Sequence, residues 1–161
     1  MRKSVQVLSL QQSLEPKDIQ EFYSNFCQCS FNGRVPTAGR CYQNAQTALF
    51  LDEKSELDTN IDKYVLGVFI NTQNNQEMEH AWNKTKDGLY IDIDPNLGYS
   101  RNHQYVVQYE LTKEDFREIL NYVNQKNDNL FDIGVEEVEK FLKAKWWLKR
   151  LYWKFKLTPR K

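Results

Sequence analysis

One stretch dictates more of the fold than any other. Residues 79–95 read E-H-A-W-N-K-T, then K-D-G, then L-Y-I-D-I-D before Pro95. Two strand-like runs flanking an Asp-Gly pair specify a β-hairpin that turns at Lys86-Asp87-Gly88. Side chains alternate between faces along a strand, so His80 and Trp82 share one face of the first run. Asp92 and Asp94 share one face of the second, with Ile91 and Ile93 on the opposite, core-facing side. The turn brings Asp92 or Asp94 roughly opposite the His80–Trp82 region. An isolated hairpin is marginal in water, so a larger sheet with a cover is required.

The neighbouring segments supply both. Tyr64 to Asn71 (Y-V-L-G-V-F-I-N) and Gln104 to Leu111 are further strands, rich in β-branched and aromatic residues. Upstream, Ile19, Phe22, Tyr23 and Phe26 recur at helical spacing and predict a helix over 14–27, with Ser13 as its cap and Pro16 in its first turn. An irregular N-G-R-V-P-T-A-G loop (32–39) leads into a second helix over 41–51, and 52–62 reads as a polar connection. Thr112 caps a helix reaching about Gln125, with Asp115 completing a capping box. A last helix spans 135–155. Helix, helix, antiparallel strands, helix, helix is an α+β order, with the second helix packed on an antiparallel sheet.

The chain has 161 residues, 40% hydrophobic and 14% aromatic, enough for one folded domain with a real core. The first ten residues are too short and polar for a signal peptide, and no apolar run reaches spanning length, so a cytoplasmic protein is expected. Cys27, Cys29 and Cys41 are an odd set without a secretory signal, which argues for reduced thiols. Together with His80 and His103 they lack the spacing of the common zinc sites, so neither metal nor other cofactor is expected.

Cys41 opens the helix that follows Gly39. A thiol there sits at the positive end of the helix dipole, beside N–H groups lacking intrahelical partners, and both favour the thiolate. Those N–H groups are also oriented to serve an oxyanion. A histidine and an aspartate on neighbouring strands complete the set that nucleophilic catalysis needs, the carboxylate orienting the imidazole.

Four pieces in order, G-R-C-Y-Q-N-A (39–45), Y-V-L-G-V (64–68), H-A-W-N-K (80–84) and G-L-Y-I-D-I-D-P-N (88–96), resemble the transglutaminase-like superfamily, which shares a papain-like core. The resemblance covers about a third of the chain. It implies Cys41 as nucleophile, His80 as general base and acid, and Asp94 as orienting acid, because Asp94 precedes Pro95 as the superfamily's aspartate does. Asp92 is the alternative on the same face. Trp82 would line the site and limit water, and Asn44, one turn beyond Cys41, would stand near it or on the helix surface. Gly67 would let the Cys41 helix pack closely on its strand. Asn96 stands where the superfamily usually has Thr. Gln28 and Asn32 are the upstream candidates for an oxyanion-hole side chain, and His103 falls in a loop beyond the motifs.

The implied activity is acyl transfer on a carboxamide or peptide bond through a thioester, with a protein or peptide substrate. Water as acceptor gives a protease or deamidase, and an amine gives a transglutaminase. The alternative is a non-catalytic binding or regulatory protein on the same fold.

Charge separates residues 1–133, the expected catalytic domain, from a basic aromatic helix over 134–161. Lys140 to Lys161 hold nine Lys or Arg and no Asp or Glu, leaving thirteen basic against 22 acidic residues before them. Phe141, Ala144, Leu148, Leu151 and Phe155 form one stripe of that helix, and Trp146 and Trp153 another. Docking on the acidic body, contact with an anionic membrane surface, and contact with nucleic acid are the uses such a segment fits.

Overall fold

The computed structural model describes residues 3–13, 15–30, 33–51, 60–95, 103–125 and 132–156, and for 10, 11 and 148–156 the backbone alone. Two short strands, β1 (Lys3–Val5) and β2 (Val7–Ser9), precede a helical turn, α1 (Leu10–Ser13). Then come helices α2 (Pro16–Cys29) and α3 (Cys41–Leu49). Strands β3 (Ile61–Asn71), β4 (Gln76–Thr85), β5 (Tyr90–Asp92) and β6 (His103–Thr112) follow, and helices α4 (Lys113–Asn124) and α5 (Val135–Lys156) complete the order. The α+β layout holds. Ser13 ends α1, however, and Glu15 takes the N-cap position of α2, with Pro16 in its first turn. Most of the expected polar connection, 52–59, lies outside the described residues.

The sheet is mixed rather than purely antiparallel. Its order is β1-β6-β3-β4-β5-β2, and the β2–β5 pair is parallel. Gln6 alone separates β1 from β2, yet those strands pair with β6 and β5 at opposite ends of the order. A single residue can bridge the two ends only if the sheet curls until they nearly meet.

Contacts across the curl agree with this. Glu110 on β6 binds Lys63 on β3 (3.2 Å), Lys84 on β4 (3.0 Å) and the Tyr90 hydroxyl on β5 (2.6 Å). Burial opposes the charged form of Glu110, but hydrogen bonds from Tyr90, Lys84 and Lys63 outweigh it and lower its pKa to about 2. Inside the curl, Val65, Phe69, Trp82, Tyr90 and Tyr105 form a small aromatic core. On the outer face, Tyr64, Leu66, Ala81 and Ile91 pack against α2, α3 and α4 through Phe22, Phe26, Ala45, Ala48, Leu49, Phe116 and Ile119.

Gly67 lies where these layers are tightest. A Cβ there would stand 2.1 Å from the Val106 carbonyl oxygen and 2.7 Å from the Trp82 ring. Its smallness serves the approach of β6 and of Trp82, at a register shift between Leu66 and Gly67, and not the seating of α3 as expected from the sequence.

Candidate active site

Cys41 is the first residue of α3, and the loop before it is fixed from two sides. Asn44 accepts from the Thr37 backbone N–H (3.2 Å) and donates to the Thr37 carbonyl (2.8 Å), folding the loop onto the helix. Gly39, at φ +75°, donates its N–H to Asp94 Oδ2 (3.3 Å), tying the loop to the end of β5. The left-handed φ explains a glycine at this position. Asn44 is buried rather than on the helix surface, and it anchors the loop that presents the thiol.

His80 lies on β4 with its ring inside the curl, only 3% exposed. The Trp82 ring stacks against it at 6.0 Å between centroids, and Phe69 meets it edge-on at 5.9 Å. Trp82 is therefore both a core aromatic and a wall of the site, closing the imidazole from the interior. Its indole Nε1 has no hydrogen-bond partner among the described residues.

The carboxylate on the imidazole is Asp92. Its Oδ2 lies 2.7 Å from His80 Nε2 and also accepts from the Tyr105 hydroxyl at 2.8 Å, while Oδ1 accepts from the Asp94 N–H at 2.9 Å. The imidazole thus meets the alternative, Asp92, rather than Asp94, for a geometric reason. Pairing of Asn83 with Ile91 and Lys84 with Tyr90, if continued, would set His80 opposite Asp94. But β5 ends at Asp92, and the chain leaves toward Pro95. Asp94 turns to Gly39, and His80 reaches diagonally to the last residue of the strand.

Cys41, at the start of α3, lies close enough to His80 to favour its charged form. Burial is the largest single influence on this imidazole and disfavours its charged form. The hydrogen bond to Asp92 and the nearness of Cys41, with the negative charge each can carry, together outweigh it and push its pKa from 6.5 up to about 10. Both neighbours thus favour the protonated imidazole. Burial first, and then the charge and hydrogen bond of Asp92, push the Tyr105 hydroxyl far up, so it remains a donor.

Cys41 is half-buried, whereas His80, Asp92 and Tyr105 are buried. Beside this group, Glu79 Oε1 accepts from the Tyr42 hydroxyl and from the Val135 N–H, which brings the start of α5 against this edge.

Of the remaining candidates, Gln28 is exposed on α2 and Asn32 and Asn96 lie outside the described residues. His103 is the first residue of β6, not part of a loop, and its ring packs on Phe69 at 4.3 Å. All three cysteines are free thiols. Tyr105 is the member that sequence reasoning missed. Its position in an alternating strand gave only a face, and its partner lies across two intervening strands. Comparison with protein-family models, with curated proteins and with solved structures finds no match for this chain.

Proposed function

We propose that this protein is a cysteine acyl-transfer enzyme with Cys41 as nucleophile, His80 as proton carrier and Asp92 as orienting acid, on a core of transglutaminase-like or papain-like type. The observation that carries the reading is the buried His80–Asp92 pair beside Cys41, the residue that opens helix α3.

In this mechanism the Cys41 sulfur attacks the carbon of a carboxamide or peptide group. The carbonyl π electrons move to oxygen, where the first-turn N–H groups of α3 are the available donors. As the tetrahedral species collapses, the C–N bond breaks and His80 gives its proton to the departing amine. A thioester on Cys41 remains. Water or a second amine then attacks it, losing a proton to His80 and releasing the sulfur. Asp92 keeps the imidazole in the orientation and tautomer that both halves need. Hydrolysis makes the enzyme a protease or deamidase, and amine transfer makes it a transglutaminase.

The test is the pH dependence of Cys41 alkylation by iodoacetamide. A thiolate held by an imidazolium reacts well below pH 7, and His80→Ala moves the reaction to the range of an ordinary thiol, about pH 8.5. If the wild-type protein already reacts only in that upper range, the same fold acts instead as a non-catalytic binding module.

A further inference from the structure

The face of α5 that leaves the body has a composition the acyl-transfer chemistry does not use. Among the described side chains, contacts of this helix with the body come from its first turns. Val138 is buried, Phe141 meets Tyr122 edge-on at 5.6 Å, and Lys145 reaches Glu118 at 2.6 Å. Away from these contacts, Leu142 is 45% exposed, Trp146 63% and Trp147 58%. Three large apolar side chains within six residues are not the isolated surface hydrophobes of an ordinary monomer.

We propose that this face of α5 lies in the headgroup region of an anionic lipid bilayer. Leu142, Trp146 and, by spacing, Trp153 fall on one stripe of the helix. Lys149 and Arg150 follow Trp146 by three and four residues, on either side of that stripe. From Trp146 onward the sequence holds six Lys or Arg and no acidic residue, whereas the body is acidic. An apolar stripe containing Trp, bordered by cations, is the pattern of a helix lying in an interface plane. Among the described residues no helix is long and apolar enough to cross a membrane, which leaves lying on the surface as the mode of contact.

Lipid fits better than nucleic acid. Consecutive helical residues project about 100° apart, so Trp146 and Trp147 open a broad arc rather than a single stacking platform. The aliphatic Leu142 extends that arc and offers a base nothing to stack on. Because the Val135 N–H is held by Glu79, next to His80, the helix leaves from the edge of the candidate active site. Trp146 follows eleven residues later, about 16 Å along the axis. Membrane contact would therefore hold the thiol close to the bilayer surface.

Flotation of the full chain with phosphatidylcholine vesicles, with and without phosphatidylserine, tests this. Binding is expected to the phosphatidylserine vesicles only, with a blue shift of tryptophan emission and loss of binding at high salt. Both Trp146→Ser/Trp147→Ser and Lys149→Glu/Arg150→Glu should weaken binding at least about tenfold. Unchanged circular dichroism and unchanged Cys41 alkylation in those variants would show the body intact, and would separate failure here from failure of the enzymatic reading. Equal partition onto neutral vesicles, no partition at all, or binding confined to a single-stranded RNA oligonucleotide would each overturn the proposal.

Discussion

At the scale of single residues, the site depends on which of two aspartates reaches the imidazole. Asp92 contributes two of the influences that raise the His80 pKa, its hydrogen bond and its charge, against the opposing effect of burial. Asp92→Asn removes the charge while keeping the shape. His80 should then titrate lower, and alkylation of Cys41 near pH 6 should slow by about 100-fold or more, as loss of an orienting carboxylate does elsewhere. Asp94→Asn leaves that pair in place while weakening the tie to Gly39, so the same assay should change by less than about tenfold. Equal losses in the two variants would mean that the diagonal pairing does not govern the thiol. Tyr105→Phe asks a different question. It deletes one donor to a buried carboxylate without changing the ring, and a hydrogen bond to a charged group contributes roughly 1.5–3 kcal/mol. Urea denaturation should show a loss of that size.

At the scale of elements, the sequence was most legible where a period repeats. The helical spacing of Ile19, Phe22 and Phe26, the capping box at Thr112 and Asp115, and the alternation through His80 and Trp82 all place elements within a few residues of where they lie. The capping box forms as expected, with Asp115 accepting from the Thr112 N–H and Thr112 accepting from the Asp115 N–H. Strands β1 and β2 have three residues each, too few for a period to register, and parallel pairing leaves no turn signal to read. The end of β5 was equally hidden, since alternation continues through Asp94 although pairing does not. Register left both aspartates open and the position before Pro95 favoured Asp94, whereas the residue that meets His80 is Asp92, the last of the strand. Gly67 was noticed for the wrong neighbour, because its crowding comes from a strand bulge that no local pattern announces. Gly67→Ala would drive a methyl group into the Val106 backbone, which cannot move aside as a flexible side chain would. A loss of about 3 kcal/mol or more is expected, read as a lowered denaturation midpoint, with Gly39→Ala as a comparison whose cost comes from φ alone.

At the scale of the whole molecule, curling the sheet has an electrostatic consequence. It encloses an aromatic interior and places an imidazole against its wall, where the proton on His80 is held only by groups that folding assembles: Asp92 from β5 and Cys41 from α3. The unfolded chain has none of them nearby, so His80 binds its proton more tightly folded than unfolded. Stability from this source is complete below the unfolded pKa, near 6.5, and is lost as pH rises through about 10. Between those values the folded state holds a proton that the unfolded state has released, so raising pH favours unfolding. Tyr42, Tyr64 and Tyr105 act elsewhere: burial, their largest influence, keeps them protonated when folded, and the stability they cost appears only above pH 10. Urea midpoints measured from pH 6 to pH 9.5 should therefore fall steadily for the wild-type protein. In Asp92→Asn, where burial opposes the charged imidazole with less to offset it, the profile over that window should be flatter. Parallel profiles for the two proteins would mean that the carboxylate does not hold the proton on His80, and the proposed acyl transfer would lose the proton carrier it relies on.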